Sequence, residues 1–467
     1  MKKIQISAAC ALAAAAACAQ LAPFTVDFAR ETGKLKRLNG VCNATPLSNA
    51  RLNSINDMVL KLEIPFYRLH DAALENPGLQ LVDVRRIFPV FSADPAKAEN
   101  YNFGPTDDYL KQIVDSGAKI EFRLGESIEH SPKVYLVKPP PDYEKWAEIC
   151  CHIIRHYNEG WADGFKWDIR YWTIWEEPNC NPMLLTGAPN PFREIYLPLY
   201  KAASLHIKKQ FPNIKIGGPQ TGGVHLMKEF VEFCATNSLP LDYCAFTSYT
   251  RRPETYAEQV ETVRKLLDGN GYGKTEIAIA EWHWGPLGWA WHSSGPSPRH
   301  AREWNRQLTG YDSSAFTAAV LIRMQDAPVD YMFYYGMKCG SWGLFDRYRQ
   351  PYPSYYSMLA FAQLLHGDVR VAAATTPAEN WYVLASKEKA TGRGRVLMAA
   401  LRTDREPKII LKGGVKPVSV KTVDPVHDLE ETQGWVWHAD REQLYIPRNV
   451  GDSAVWLIET EPAAAGK

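Results

Sequence analysis

Strand-like and helix-like segments alternate eight times between residues 38 and 366, and this repeat constrains the fold more than any other feature of the chain. The strand-like members are short apolar runs, which differ from the helical segments in length and in the spacing of apolar residues. The expected strands are Leu38–Asn43, Pro65–His70, Lys119–Leu124, Arg170–Glu176, Ile214–Gly218, Asp242–Ser248, Glu276–Glu281 and Asp330–Gly336. Eight consecutive β-then-α units predict an α/β fold, a closed (β/α)8 TIM barrel whose active site lies at the carboxyl ends of its strands.

The helical segments between these strands support the same fold. They are expected at residues 47–62, 106–116, 142–157, 191–210, 225–237, 254–268, 308–325 and 353–366. A doubly wound open sheet is the competing fold, and it would carry a glycine-rich phosphate turn after its first strand. The segment Gly40–Asn43 is not such a turn, which favours the barrel.

The pattern changes near residue 367, where short β-rich runs separated by turn residues replace the strand–helix repeat. Such runs are typical of a small β-sandwich. We therefore expect a catalytic barrel over 38–366 and a C-terminal β-sandwich over 367–467. The N-terminal segment 20–37 contains a strand-like run at Thr25–Phe28 that suits an extra strand of this sandwich.

Composition and the N-terminus narrow the class of protein. The formal net charge is +1, so no global field favours nucleic acid or an anionic membrane as a partner. Residues 1–19 combine two lysines, a short apolar run and a small-residue cleavage site, the pattern of a signal peptide that is too short to span a membrane. Export to the periplasm or the extracellular space is expected, and lipid anchoring through Cys18 is an open alternative.

The seven cysteines beyond this signal are scattered and odd in number, so neither a zinc motif nor a disulfide framework is predicted. Buried free thiols are the favoured interpretation.

Two of the expected strands end in carboxylates. The fourth runs into Glu176 and Glu177, and the seventh ends at Glu281. An unpaired glutamate is costly to bury, so its position at a barrel mouth suggests function rather than packing. Glycoside hydrolysis needs two carboxyl groups that flank the scissile bond, one as an acid and the other as a nucleophile or base. Structural carboxylates on the barrel rim are the alternative interpretation.

The chain resembles glycoside hydrolase family 39 and related barrel glycosidases, a group that includes β-xylosidases and α-iduronidases. The resemblance covers roughly residues 23–460. Its motifs are Tyr67–Asp71, Phe122–Glu126, His156–Trp161, Ile174–Asn179, Asp242–Tyr249, Ala280–Trp282 and Gly343–Asp346. The resemblance implies that Glu177 is the general acid/base and Glu281 the nucleophile of a retaining, double-displacement mechanism that needs no cofactor and no metal.

Other side chains are expected to support these two carboxylates. Arg68 would keep Glu281 ionised, because a cation favours the charged form of a carboxylate. Tyr249 would donate a hydrogen bond to the same carboxylate, and His70 would bind a sugar hydroxyl. Structural roles in an ion pair, in wall packing and in the barrel interior are the respective alternatives.

The chain departs from the family pattern at two positions. Glu176 stands where the family usually has an asparagine that contacts the sugar 2-hydroxyl, and a carboxylate accepts hydrogen bonds but cannot donate them. We therefore expect Glu176 to bind substrate in a different way, and to help keep Glu177 protonated by charge repulsion. Thr247 stands where the family commonly has histidine. Both departures make the transfer of one activity, such as that of a β-xylosidase, unsafe.

Further candidates surround this centre. Asn179, Glu126 and Trp342 are expected near the substrate, Trp342 as a wall for a sugar ring. The stretch from Trp282 to Arg306 is expected to be a long loop that carries stacking platforms, which are Trp282, Trp284, Trp289 and Trp291. An oligo- or polysaccharide is the expected substrate. An endo-acting glycanase and a catalytically weak glycan-binding protein are the alternative functions, and the oligomeric state stays open.

Overall fold

The computed structural model describes residues 24–43, 55–70, 81–128, 138–180, 187–288, 297–337, 339–374, 380–403, 407–447 and 451–463. The expected signal segment 1–19 with Cys18, and the loop residues Trp289 and Trp291, lie outside these ranges. The chain divides into two compact units, Leu35–Leu365 and a second one drawn from Met1–Lys34 and His366–Lys467.

The larger unit is a closed barrel of eight parallel strands that pair in chain order, which confirms the TIM barrel. With β1 (Phe24–Gly33) in the other unit, the barrel strands are β2 (Gly40–Cys42), β3 (Phe66–Arg68), β4 (Lys119–Leu124), β5 (Tyr171–Ile174), β6 (Lys215–Gly222), β7 (Tyr243–Thr250), β8 (Glu276–Trp284) and β9 (Tyr331–Tyr334). Each expected strand overlaps one of these. Small and aromatic side chains such as Ala245, Ala278 and Phe333 fill the barrel interior.

The helices follow the strands. They are α1 (Asn56–Lys61), α2 (Val84–Ile87), α3 (Gly104–Asp115), α4 (Tyr143–Asn158), α5 (Leu197–Gln210), α6 (Met227–Thr236), α7 (Pro253–Gly269), α8 (Pro298–Leu308), α9 (Tyr311–Arg323) and α10 (Pro353–Leu364). A π-helical turn over Phe192–Tyr196 precedes α5, and 3-10 turns lie at Ala98–Asn100, Met324–Asp326 and Ala439–Arg441. None of the helices in the described residues is long and apolar enough to cross a membrane.

Most of helix α8 lies in the stretch from Trp282 to Arg306 that was predicted to be a long loop. Ser297 caps it, because its side chain accepts a hydrogen bond from the His300 backbone, and Pro298 occupies the first turn. Only Trp304 and Leu308 of this helix are buried. Its few apolar residues, Ala301, Trp304 and Leu308, recur at helical spacing, but the segment as a whole is strongly polar, which explains why a loop was predicted.

The smaller unit is a ten-stranded, mostly antiparallel sheet that forms the predicted β-sandwich. Its strands lie in the order β15-β14-β18-β12-β11-β10-β1-β13-β17-β16. Beyond β1 they are β10 (Val369–Ala374), β11 (Trp381–Lys387), β12 (Gly394–Ala400), β13 (Lys408–Lys412), β14 (Val415–Asp424), β15 (His427–Glu431), β16 (Val436–His438), β17 (Gln443–Tyr445) and β18 (Ala454–Pro462). The N-terminal β1 pairs antiparallel with β10 and parallel with β13, so a strand from the start of the chain completes this sheet.

Candidate active site

The end of β5 presents Glu176 and Glu177 through a sharply bent backbone. Trp175 and Glu177 adopt positive φ values of 71° and 34°, a region that side-chain-bearing residues seldom occupy. The Cys180 amide donates to the Glu177 carbonyl at 2.8 Å and closes a turn with Pro178 in its second position. Such strained backbone is often found at functional sites.

Gly125, at the end of β4, allows this bend. A Cβ on Gly125 would lie 3.0 Å from Trp175, and the glycine itself has a φ of +135°. The Trp175 ring is fully buried and packs near Trp146 of α4, with ring centroids 6.1 Å apart. A bulkier residue at position 125 would push the tryptophan, and with it the two carboxylates, out of place.

Glu281 of β8 lies in the barrel interior between a cation and a hydroxyl group. Arg68 Nη1 donates to Glu281 Oε1 at 2.8 Å, and the Tyr249 hydroxyl donates to Oε2 at 2.6 Å. Between Ile279 and Trp282 the register of β8 against β9 shifts, the mark of a β-bulge. Bulges re-aim side chains, and this one lets Glu281 face inward even though its neighbour Ala280 belongs to the interior cluster.

Glu176 is fully buried and belongs to the same charged cluster. Its carboxylate receives a hydrogen bond from Arg68 and lies 3.3 Å from His70 Nδ1, while His70 Nε2 lies 3.3 Å from Glu281. Burial acts to raise the pKa of Glu176, but Arg68 and His70 outweigh it and lower the pKa to about 2. Glu176 and His70 thus form one buried charged cluster with Arg68 and Glu281, and the sugar contacts expected of both residues stay predictions.

Glu177 has a different environment. Its carboxyl accepts a hydrogen bond from the Thr247 hydroxyl, and Thr247 pairs in register with Glu281 across β7 and β8. Burial raises the pKa of Glu177 to about 7, and the charges of Glu281 and Glu176 act in the same direction. The threonine that replaces the family's usual histidine thus contacts the carboxyl group directly.

A buried polar network that the sequence pattern did not predict continues beneath these carboxylates. Arg68 Nε donates to Gln220 Oε1 at 3.2 Å, and the Gln220 amide donates to Glu121. Tyr243 also donates to Glu121, at 3.3 Å. Burial raises the pKa of Glu121 to about 7. A signal existed, since Glu121 and Arg123 are charged residues that alternate with apolar ones along β4, a strand inside the barrel.

The remaining predicted residues divide between the site and the surrounding scaffold. Trp342 is half-buried and packs against Tyr249, with centroids 5.3 Å apart, which places it beside the carboxylate cluster. Asn179 is used structurally, because it exchanges two hydrogen bonds with the Gly222 backbone at 3.0 and 3.2 Å. Glu126 accepts a hydrogen bond from the backbone amide of Arg85 at 3.2 Å.

Trp282 and Trp284 do not face the barrel mouth, which corrects the prediction that they stack on sugars. Trp282 packs edge-on against Tyr256 of α7, and Trp284 stacks on Phe316 of α9. Both are almost completely buried. The physical reason is strand alternation: after the bulge, the side chain that follows inward-facing Glu281 points outward to the helices.

Three ligand atoms of His70, Glu176 and Glu281 lie within 4.8 Å of one another, a spacing that would suit a metal ion. The Arg68 guanidinium, however, hydrogen-bonds both carboxylates. A fixed cation therefore already neutralises this part of the site, and the geometry favours a carboxylate pair over a metal centre. The seven cysteines in the described residues are all free thiols.

The chain is similar to known glycosidases. The model of glycosyl hydrolases family 39 matches residues 72–395. A β-xylosidase of Caldicellulosiruptor saccharolyticus is 26% identical over 264 residues, 53% of this chain and 50% of that protein. A β-xylosidase of Geobacillus stearothermophilus is 25% identical over 217 residues, 39% of this chain and 41% of that protein. The chain thus spans half or less of the length of these relatives.

Solved structures with low sequence identity share the fold. A glucosidase from Croceicoccus marinus superposes with a TM-score of 0.74 at 21% identity, over 95% of this chain and 100% of that one. The family model covers most of the barrel, including Glu176, Glu177 and Glu281. The chain therefore belongs to family 39 of the glycosyl hydrolases.

Proposed function

We propose that the chain hydrolyses O-glycosidic bonds with retention of anomeric configuration. Glu281 attacks the anomeric carbon and forms a glycosyl ester, while Glu177 gives its proton to the departing oxygen. Glu177 then removes a proton from water, and this water displaces Glu281 and releases the sugar. Each carboxyl returns to its starting protonation state, so the cycle consumes only water.

The observation that carries this proposal is the contrast between the two carboxyl environments. Glu281 receives hydrogen bonds from a guanidinium and a phenol, which stabilise a carboxylate. Burial and two neighbouring carboxylates raise the pKa of Glu177 to about 7, so it holds its proton near neutral pH. A pair of carboxyls with such divergent environments matches the division between nucleophile and acid.

Arg68 and His70 act on the nucleophile in this scheme. Both contact Glu176 as well as Glu281, so they fix the relative positions of two like charges in a buried space. Trp342, packed beside Tyr249, is the proposed wall for the sugar bound next to Glu281. We also propose export, with residues 1–19 as the signal.

A panel of aryl glycosides tests the proposal, beginning with xylosides and glucosides, the sugars named for its relatives. Wild type, Glu177→Gln and Glu281→Gln are compared, with Glu276→Gln as a control at the opposite end of the strand that carries Glu281. We expect Glu281→Gln to be inactive and the control to retain activity. Azide should restore turnover of an activated substrate by Glu177→Gln, because azide needs no general base. Equal activity of wild type and Glu177→Gln would reject the acid/base assignment.

A further inference from the structure

Helices α4 and α5 carry a cluster of metal-binding side chain types that the proposed reaction does not use. Glu148, Cys151 and His206 place three ligand atoms within 4.8 Å of one another. Glu148 and Cys151 are three residues apart on α4 and so share one face of that helix, while His206 comes from α5. Carboxylate, thiolate and imidazole together form a typical donor set for Zn²⁺.

The hydrogen bonds of His206 resemble those of a metal-bound histidine. Its Nε2 lies 2.8 Å from Glu148 Oε2, and its Nδ1 lies 3.1 Å from Glu144 Oε2. A metal-binding histidine usually donates its second ring N–H to a carboxylate, which fixes the tautomer and the ring orientation. Glu144 is correctly placed for that role when Nε2 faces the ion.

The side-chain amide of Gln210 lies between Glu148 and His206, where a bound ion would displace it. Gln210 Nε2 lies 2.9 Å from both Glu148 Oε2 and His206 Nε2. Arg155 Nη1 contacts the other oxygen of Glu148 at 3.2 Å and can remain there.

We propose that Glu148, Cys151 and His206 bind a divalent transition metal ion of the Zn²⁺ class, with Glu144 orienting the imidazole. The Cys151 thiol loses its proton to solvent when the ion binds, because the thiolate is the ligand. The ion then links α4 to α5, the helices before and after β5. Since Glu176 and Glu177 directly follow β5, the metal site would stabilise the part of the barrel that holds the acid/base.

Zinc binding by the chelator-treated full-length protein is the primary test. Isothermal titration with ZnCl2 should show a site that Cys151→Ser abolishes, whereas Cys339→Ser, which removes a half-buried thiol elsewhere, leaves it intact. Glu144→Gln changes an exposed side chain that is not a ligand, and it should weaken binding by about 10–100-fold. Co²⁺ should give a sulfur-to-cobalt charge-transfer band that is absent in Cys151→Ser.

Stability and activity complete the test. Zn²⁺ should raise the Tm of wild type and Cys339→Ser but not of Cys151→Ser, because an ion that binds only the folded state stabilises it. Zinc binding that is equal in wild type and Cys151→Ser, or absent in both, overturns the proposal. Zinc that inhibits glycoside hydrolysis in Cys151→Ser as in wild type would place the ion at His70, Glu176 and Glu281 instead.

Discussion

At the scale of single residues, the proposed reaction depends on the proton that Glu177 carries. Glu177 must be protonated before the glycosidic oxygen leaves, and its pKa is raised to about 7 by burial and by Glu281 and Glu176. As the pH rises through this value the acid form is lost. The kcat/KM of wild type should therefore fall on the alkaline side with an apparent pKa near 7.

Glu176→Gln should move this alkaline limb to lower pH. The substitution keeps the shape of the side chain but removes one negative charge near Glu177, so the acid loses its proton more readily. A shift of roughly one pH unit in kcat/KM is expected. The pH–rate profile on an aryl glycoside measures it. An unchanged limb, in a variant that folds as wild type does by circular dichroism, would mean that Glu176 has no electrostatic effect on Glu177.

Thr247→Val should move the same limb in the opposite direction. The Thr247 hydroxyl donates to the Glu177 carboxyl, and this hydrogen bond lowers the pKa of Glu177. Valine has a similar shape without the hydroxyl, so the acid should keep its proton to a higher pH, by a few tenths of a unit. General damage to the site would not shift the alkaline limb in opposite directions in Glu176→Gln and Thr247→Val. A shift to lower pH in Thr247→Val would contradict the assignment of this limb to Glu177.

At the scale of secondary structure elements, strand geometry decides which tryptophans serve the site. The sequence places Trp282 and Trp284 directly after Glu281, and the bulge in β8 determines that both face the helices. A period of two predicts alternation but not the position of a bulge, because the extra residue is set by pairing with the neighbouring strand. Trp342 follows β9 and packs beside Tyr249, and its role as a wall for the sugar stays a prediction.

Trp282→Phe and Trp342→Ala should separate packing from binding. The first should lower the free energy of unfolding by about 1–3 kcal/mol with little change in KM, because the ring packs against α7. The second should raise KM by roughly tenfold, or about 1.4 kcal/mol, with little change in Tm. Denaturant unfolding and steady-state kinetics measure both. A large KM effect in Trp282→Phe would return that residue to the substrate site.

At the scale of the whole molecule, the buried carboxyls make stability depend on pH. Glu121 has an ordinary pKa of 4.5 when unfolded and about 7 when folded, so the unfolded chain releases its proton first. Protonated Glu121 therefore stabilises the folded chain fully below pH 4.5, and this stabilisation is lost as the pH rises through 7. The pKa of Glu177 is also raised in the folded chain, so its contribution to stability falls with rising pH in the same way.

Glu121→Gln should therefore raise the Tm at pH 8 more than at pH 5. Glutamine imitates the protonated carboxyl and never ionises, so the variant avoids a cost on the order of a few kcal/mol that wild type bears at alkaline pH. Glu159→Gln, an exposed change, should give the same small difference at both pH values. Thermal melts measure the change in Tm of each variant at pH 5 and at pH 8. An equal change in Tm for Glu121→Gln at the two pH values would contradict the raised pKa of Glu121.

The fold was more predictable than the site. Eight apolar runs separated by amphipathic helices determine a barrel. Acids that follow β5 and lie in the carboxyl-terminal half of β8 mark its candidate catalytic mouth, so the architecture and the candidate carboxylates follow from local pattern. The contacts of Glu176 with Arg68 and His70 do not, because they join the ends of two strands, β3 and β5, that are about a hundred residues apart in the chain. Gln220 and Glu121 were missed for the same reason: their role depends on which side chains meet in the barrel interior.

Trapping of the glycosyl ester tests the central claim most directly. A 2-deoxy-2-fluoro glycoside of the sugar that the aryl glycoside panel identifies slows hydrolysis of the ester, so the labelled protein can be digested and the modified peptide sequenced by mass spectrometry. We predict one sugar per chain, attached to Glu281, and no label in Glu281→Gln. A label on Glu176 or Glu177, or hydrolysis of the substrate with inversion and no trapped ester, would contradict the account.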